Sequence, residues 1–172
     1  MNDQGAPRLS KSTRDQLVAL LPRLRSFCMA LARSADAGDD LAQATVERAL
    51  SRIDQWHEGT RLDSWMYRIA QNISIDQARA LKVRGVRADV DELATIAGED
   101  GRDVVEARDA LARAQAALAK LPDDQRALMA LVVIDGQSYK DAAEILDIPI
   151  GTVMSRLARA RAAIAASMGP RA

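Results

Sequence analysis

The segment from Ile148 to Ala172 contains four arginines and no carboxylate. Three of these, Arg156, Arg159 and Arg161, fall in one predicted helix, which also contains Ser155. A solvated helix face normally mixes both signs of charge, so this imbalance indicates a surface that binds a polyanion. Arginine can bond guanine bidentately and serine can bond a base or a phosphate, which makes DNA the leading candidate. The alternative is an ordinary helical hairpin with a basic, solvated face, because amphipathic helix pairs are common.

The sequence contains no group of residues with a spacing typical of catalysis. There is no glycine-rich phosphate loop, no nucleophile spaced to pair with a histidine and no cluster of metal ligands. The single cysteine, Cys28, excludes an internal disulfide and a multi-cysteine zinc site. It falls on an apolar stripe, so we expect a buried, inert thiol rather than a redox sensor. We therefore expect no enzyme activity, no metal and no cofactor; a helical enzyme is the weakest alternative, because the carboxylates are spread along solvated helix faces.

Composition favours an all-α protein. The 172 residues include 24 basic and 24 acidic side chains, and only 3% are aromatic. Alanine, leucine and arginine are abundant, and all three favour helices. Charge is uneven, since residues 86–104 hold six acidic and two basic side chains. No apolar run is long enough to span a bilayer and the first 15 residues lack the apolar core of a signal peptide, so we expect a soluble, cytoplasmic protein.

Three helices are predicted before residue 84. The first begins near Ser12 or Thr13, either of which could cap it, and Pro22 is expected to kink or divide it. A turn around Gly38 follows, with Asp39 or Asp40 as a possible cap for the second helix. The third is expected from about Leu62 to Lys82, after a loop that contains Gly59. Apolar residues at spacings of three and four predict the core of this unit.

A second helical unit is predicted after an acidic, glycine-containing linker at residues 84–104. It includes an alanine-rich helix that ends near Lys120 and a helix from Asp123 to Ile134. Ser138 is expected to cap a short helix that ends at Leu146, and Thr152 to cap the last helix. That helix has an inner apolar stripe formed by Val153, Leu157, Ala160 and Ile164. Two short helices joined by a tight turn constitute a helix-turn-helix, whose second helix can lie in a major groove.

Residues 138–164, SYKDAAEILDIPIGTVMSRLARARAAI, closely resemble region 4.2 of the extracytoplasmic-function (ECF, group 4) sigma factors of the sigma-70 family. The segment LLPRLRSFCMALARSADAGDDLAQATVERAL resembles regions 2.1 and 2.2, and TRLDSWMYRIAQNISIDQAR resembles regions 2.3 and 2.4. LPDDQRALMALVVIDGQSY resembles region 4.1. The resemblance implies two small helical domains, at residues 12–83 and 105–168, joined by a flexible linker at 84–104.

The resemblance also implies roles for residues of the first domain. The family docks the β′ clamp helices of RNA polymerase on the segment that here contains Asp39, Asp40, Leu41, Gln43 and Glu47. Asp39 is open to a second interpretation, as an acid that favours a helix N-terminus. The family recognises and melts the −10 promoter element with the positions that here are Gly59, Thr60, Arg61, Arg68 and Asn72. Trp65 lies on the same segment, but its place on the apolar stripe favours a core role.

In the second domain, the resemblance places the −35 contacts at Thr152, Ser155, Arg156, Arg159 and Arg161. We expect Arg159 to contact a base directly, and Arg156 and Arg161 to bind phosphates. The chain departs from the family at Met154 and Ala158, where relatives often carry an arginine and a large side chain. Neither residue can make those polar contacts, so the −35 sequence of a typical member should not be assumed.

The expected partners are the polymerase core, through its β′ clamp helices and β flap, promoter DNA and an anti-sigma factor. The family implies the anti-sigma factor; no residue pattern does. The competing hypothesis is a stand-alone helix-turn-helix repressor or activator. It would explain residues 121–168 equally well, but it leaves Asp39 to Asn72 without a role.

Overall fold

The computed structural model describes residues 9–32, 34–84 and 102–168, with the side chains of 102–108, 111 and 168 outside the description. Within these ranges the chain is helical and has no strand, as composition predicts. The helices are α1 (Lys11–Leu31), α2 (Ala35–Ser51), α3 (Leu62–Val83), α4 (Arg102–Ala119), α5 (Asp123–Met129), α6 (Tyr139–Leu146) and α7 (Ile150–Met168). Most of the predicted linker, residues 85–101, lies outside the described residues, and α4 begins shortly before the predicted linker ends.

Helix α1 begins earlier than predicted and is not divided. Ser10, rather than Ser12 or Thr13, is its N-cap, and the Ser10 hydroxyl accepts a hydrogen bond from the Thr13 amide. The helix continues through Pro22, where the missing amide costs one backbone hydrogen bond. Eight buried residues hold one face of α1 in the core, which offsets that loss.

The turn predicted around Gly38 lies a few residues earlier. Ser34 caps α2 by accepting from the Ala37 amide, so Asp39 and Asp40 lie inside the helix and cap nothing. Gly38 is buried where α2 crosses α1, and a Cβ there would lie 2.8 Å from the Met29 Cα. Glycine is therefore required for the close approach of two helices and not for a turn.

Helix α3 matches its predicted bounds to within a residue and completes a three-helix core. Its residues Met66, Ile69 and Ile73 are buried, as is Tyr67, whose ring lies 4.8 Å from that of Phe27 on α1. Burial, together with the nearby Asp135 carboxylate, raises the pKa of Tyr67. Trp65 is partly buried and packs against the core, in agreement with its predicted structural role.

In the C-terminal half, the predicted helix from Asp123 to Ile134 consists of α5 and a π-helical turn, Ala130–Ile134. Arg126 on α5 is buried, and it donates to the Leu31 carbonyl at the end of α1 and to the Leu121 carbonyl, at 3.1 and 3.0 Å. Its guanidinium thus satisfies carbonyl groups that a helix end and a loop leave unpaired.

The predicted helix-turn-helix is formed by α6 and α7. Ser138 caps α6 as expected, and Asp147 ends it in the left-handed conformation (φ 53°). Helix α7 begins at Ile150, so Thr152 lies within its first turn and is not the cap. The predicted inner stripe is confirmed, with Val153, Leu157 and Ala160 buried and Ile164 partly buried.

The two halves pack against each other. Helix α1 contacts α5 and the π-helical turn, and α3 contacts α6. Buried residues of both halves form one continuous apolar cluster. None of the described helices is long and apolar enough to cross a membrane.

Candidate nucleic-acid and polymerase interface

Helix α7 presents one exposed polar face. Ser155 and Arg159 are exposed and four residues apart, and Thr152 lies one turn before them, half-buried. The Arg159 Nε donates to the Ser155 carbonyl at 3.3 Å, and no carboxylate among the described residues pairs with its guanidinium. Met154 and Ala158 flank this face and are exposed too. The geometry leaves Arg159 and Ser155 available to contact a base.

The other two arginines of α7 differ from Arg159. Arg156 is half-buried and pairs with Asp124, with 3.0 Å between Nε and Oδ2. Arg161 lies more than half a helical turn from Arg159, and its Nη1 donates to the Tyr139 hydroxyl at 3.2 Å. The structure therefore does not bring Arg161 onto the face that carries the other predicted −35 residues.

Arg61, predicted to bind the −10 element, lies at the boundary between the two halves. Its guanidinium contacts Asp63 at 2.8 Å on its own half, and Asp141 at 2.5 Å and the Gln137 side chain at 2.6 Å on the other. Burial alone would raise the pKa of Asp63, but hydrogen bonds from Arg61, the Ser64 amide and Gln137 lower it overall. Arg61 is thus already engaged by carboxylates.

Arg68 and Asn72, the next −10 candidates, face the helix-turn-helix. The Arg68 Nη2 donates to the Glu144 carbonyl on α6 at 2.6 Å. Asn72 is exposed and, with Arg68, lines a cleft of about 320 Å³ whose far wall includes Ile148 and Arg156. The structure therefore brings predicted −10 and −35 residues to opposite walls of one cleft.

The loop before α3 holds the remaining −10 candidates. Gly59 has a positive φ of 91°, which glycine adopts without strain, and the Thr60 hydroxyl donates to the His57 carbonyl at 2.7 Å. Next to them, Glu58 accepts hydrogen bonds from the Ser10 and Thr13 hydroxyls, which lower its pKa. The loop is thereby tied to the start of α1, an anchor that local sequence pattern did not predict.

The predicted polymerase-binding residues lie on α2. Asp39, Asp40, Gln43 and Glu47 are exposed, and the Gln43 amide donates to Glu47 at 2.9 Å. Arg25 of α1 binds Asp39 bidentately, at 2.6 and 3.0 Å, and this hydrogen bonding lowers the pKa of Asp39. Leu41 is only 1% exposed, so it lies beneath this surface and packs in the core.

Three arginines that sequence reasoning missed lie close together on the N-terminal half. Arg48 and Arg52 of α2 and Arg79 of α3 line an open cleft of about 400 Å³ that also contains Asn72 and one carboxylate, Asp76. All three side chains are exposed, which suits a polyanion. Arg48 and Arg52 are four residues apart, and Asn72 and Arg79 are seven apart. The sequence could therefore have predicted that the members of each pair share a helix face. Only the crossing of α2 and α3 brings the two faces together.

Both halves match known sequence families. Residues 17–71 match the family described as the sigma2 domain of PhyR, and residues 111–164 match sigma-70, region 4. The ECF RNA polymerase sigma factor EcfG of Rhodopseudomonas palustris is 37% identical over 158 residues, which cover 92% of this chain and 86% of the relative. The chain belongs to the ECF sigma factor family. SigW of Bacillus subtilis is a further such sigma factor, 30% identical over 83% of this chain and 81% of its own.

Two solved structures share the fold. The sigma factor RpoE of Bartonella quintana, in complex with the anti-sigma factor NepR, matches 92% of this sigma factor and 98% of its own chain, at 30% identity and a TM-score of 0.78. CnrH, in complex with the cytosolic domain of CnrY, matches 92% and 89% of the two chains with a TM-score of 0.67, at 24% identity. Because the likeness covers both halves, the stand-alone helix-turn-helix hypothesis, which left the first half without a role, is not supported.

Proposed function

We propose that this chain directs the core of bacterial RNA polymerase to specific promoters, as a group 4 member of the sigma-70 family. The observation that carries the proposal is the presence, in one chain, of an acidic docking face, an arginine-and-amide face and a helix-turn-helix. These lie in the order expected for polymerase binding, −10 recognition and −35 recognition. The sigma factor would act with the polymerase in the cytoplasm and supply no catalytic group or cofactor of its own.

For the polymerase contact we propose the exposed face of α2. Its carboxylates suit a basic partner such as the β′ clamp helices. The C-terminal half would bind the β flap. Asp39, Asp40, Gln43 and Glu47 would contact the partner, with Leu41 as buried support. Arg25 already binds Asp39. A polymerase residue would therefore contact Asp39 only if this ion pair breaks or if Asp39 binds both partners at once.

For the −10 element we propose that different residues of the N-terminal half contact bases and phosphates. The Asn72 amide can hydrogen-bond a base edge, whereas Arg61 and Arg68 can bind phosphates. Gly59 and Thr60 would let the loop approach a flipped base closely, and new contacts would offset the unstacking cost of a few kcal/mol. Arg48, Arg52 and Arg79 extend the basic surface beyond Asn72.

For the −35 element we propose that Arg159 and Ser155 contact bases and that Thr152 and Arg156 contact the backbone. Arg161, on a different side of α7, would at most reach a neighbouring phosphate. Met154 can contribute apolar contacts, for example to a thymine methyl group, where relatives often carry an arginine.

We also propose control by an anti-sigma factor. The sigma factor RpoE of Bartonella quintana, which has a similar structure at 30% identity, is known in complex with the anti-sigma factor NepR. A partner that covered the exposed face of α2 and the DNA-binding faces of both halves would keep them from polymerase and promoter.

The direct test is transcription reconstituted from the purified protein and core polymerase on a library of randomised promoters. We expect transcripts only when both are present, with enriched sequence motifs near −10 and −35. Tight, specific binding of duplex operators by the protein alone, without any stimulation of core polymerase, would contradict the proposal.

A further inference from the structure

The cleft between α2 and α3 that contains Arg48, Arg52 and Arg79 is called here the arginine cleft. All three side chains are exposed, and none forms an ion pair with a carboxylate of the described residues. The described residues that line the cleft all belong to the N-terminal half, so the packing of the two halves leaves it open. Arg61 and Arg68, by contrast, are bonded to residues of α6. The arginine cleft is therefore a basic surface that can receive phosphates.

One carboxylate, Asp76, also lines the arginine cleft. It is exposed, and no basic side chain of the described residues lies within ion-pair distance of it, so it does not hold the arginines in place. A surface that bound only phosphates would bind them better without this negative charge. A carboxylate can, however, accept two parallel hydrogen bonds through its two oxygens. Asp76 therefore suits a ligand that brings hydrogen-bond donors as well as phosphates.

Asn72 and Asp76 can recognise a base together. They are four residues apart on α3, so their side chains share one helix face, and both line the arginine cleft. The edge that a base uses for Watson–Crick pairing is accessible when the base is unpaired. On this edge guanine alone carries one acceptor, O6, next to two donors, N1–H and the N2 amino group. An amide that donates beside a carboxylate that only accepts is the complement of that pattern.

We propose that Asp76 is a specificity-determining residue which, with Asn72, recognises an unpaired guanine in the −10 strand. The carboxylate of Asp76 accepts from N1–H and from the N2 amino group, and the amide of Asn72 donates to O6. Arg48, Arg52 and Arg79 bind the neighbouring phosphates, which adds affinity without sequence preference. This inference rests on the proposed function, because it takes α3 as the −10 face.

The first test is the binding of the full-length chain to short fluorescent strands of thymidine with one central guanine, inosine or thymine. Fluorescence anisotropy gives each affinity, for the chain alone and in the presence of core polymerase. The guanine strand should bind at least about fivefold more tightly than the thymine strand, the lower end of what a bidentate contact supplies. Inosine keeps O6 and N1–H but lacks the N2 amino group, so the inosine strand should lose most of this preference.

Asp76→Asn separates base recognition from the rest of the fold. The amide has the shape of the carboxylate but places a donor where one acceptor stood, so it faces a guanine donor with a donor. The variant should bind the guanine and inosine strands equally, although the loss of a negative charge should raise its affinity for every strand. Asp15→Asn is the matched control, since Asp15 is exposed on α1 and lies outside the cleft. It should keep the guanine preference.

The phosphate contacts are tested by a triple variant that combines R48Q, R52Q and R79Q. Each phosphate contact to a single strand contributes about 0.7 to the slope of log affinity against log salt concentration, so the slope should fall by about 2. Affinity should fall by the same factor for the guanine and thymine strands. Arg14→Gln, which removes an exposed arginine of α1 outside the cleft, should leave the slope unchanged.

Several results would overturn the inference. Equal affinity of the wild type for the guanine and thymine strands would do so, as would a guanine preference that persists in Asp76→Asn when circular dichroism shows it folded. Failure to bind any strand, with or without core polymerase, or an unchanged salt slope in the triple variant would also contradict it. If the promoter library yields no transcripts, the proposed function fails, while strand binding by the chain alone still decides whether Asp76 recognises guanine.

Discussion

At the scale of single residues, the environment of each arginine decides what it can do. Arg159 is exposed and has no carboxylate partner among the described residues, whereas Arg156 binds Asp124 and Arg161 bonds Tyr139. The three arginines of α7 therefore differ in how readily their guanidinium groups can contact DNA. The sequence showed the excess charge of α7, but only the surrounding helices distinguish the arginine that is free to recognise a base.

The prediction at this scale is a difference between Arg159→Ala and Arg161→Ala. A bidentate arginine–guanine contact contributes about 1–3 kcal/mol of discrimination, so Arg159→Ala should relax preference at one −35 position. Arg161→Ala should weaken binding little and equally for all sequences. Transcription from promoters substituted singly across the −35 element, with core polymerase present, measures both. An equal loss at every promoter for Arg159→Ala would make Arg159 a phosphate contact instead.

At the scale of elements, the N-terminal half depends on how closely its helices cross. Gly38 lets α2 approach α1 at Met29, and this crossing holds the acidic face of α2 in position. The sequence predicted Gly38 as a turn residue, because glycine near two aspartates commonly marks a turn. Its actual role depends on a neighbour nine residues away on another helix, which local pattern does not reveal.

We predict that Gly38→Ala destabilises the protein by about 1–3 kcal/mol, the usual cost of overpacking. The new Cβ would lie 2.6 Å from the Met29 Sδ and 2.8 Å from its Cα, and the backbone atom cannot move without shifting α1. Gly151→Ala is the matched control, since no atom lies within 4 Å of its new Cβ and alanine favours helix by up to about 1 kcal/mol. Urea unfolding of both variants gives the comparison; equal stability of the two would contradict the proposed crossing constraint.

At the scale of the whole molecule, the two halves pack against each other through one continuous apolar cluster. Helix α6 packs against α3 and Arg68 donates to the Glu144 carbonyl, whereas Ser155 and Arg159 of α7 stay exposed. Tethering both DNA-binding faces in one chain raises their effective concentration once polymerase holds them apart.

We predict that Asn72→Ala impairs promoter melting more than polymerase binding. Asn72 lies on α3, away from the exposed acidic residues of α2, and its amide makes no hydrogen bond to another side chain in the part of the chain that the structure describes. The defect should appear as slower formation of heparin-resistant complexes, with core affinity unchanged in a competition assay. A fall in core affinity would mean that Asn72 belongs to the polymerase contact.

The sequence by itself determined the helical fold, the helix-turn-helix, the bounds of α3 and the faces that carry polar residues. These follow from periodicity and capping, which act within a few residues of chain. Residue spacing could not reveal that Leu41 is buried or that Arg48, Arg52 and Arg79 meet, although the two-residue spacing from Arg159 does place Arg161 on another side of α7. Tertiary structure alone decided that Arg61 meets Asp141 and that Arg23, 112 positions earlier in the chain, binds Asp135. Such pairs depend on how surfaces far apart in the sequence pack together, and no local pattern constrains that.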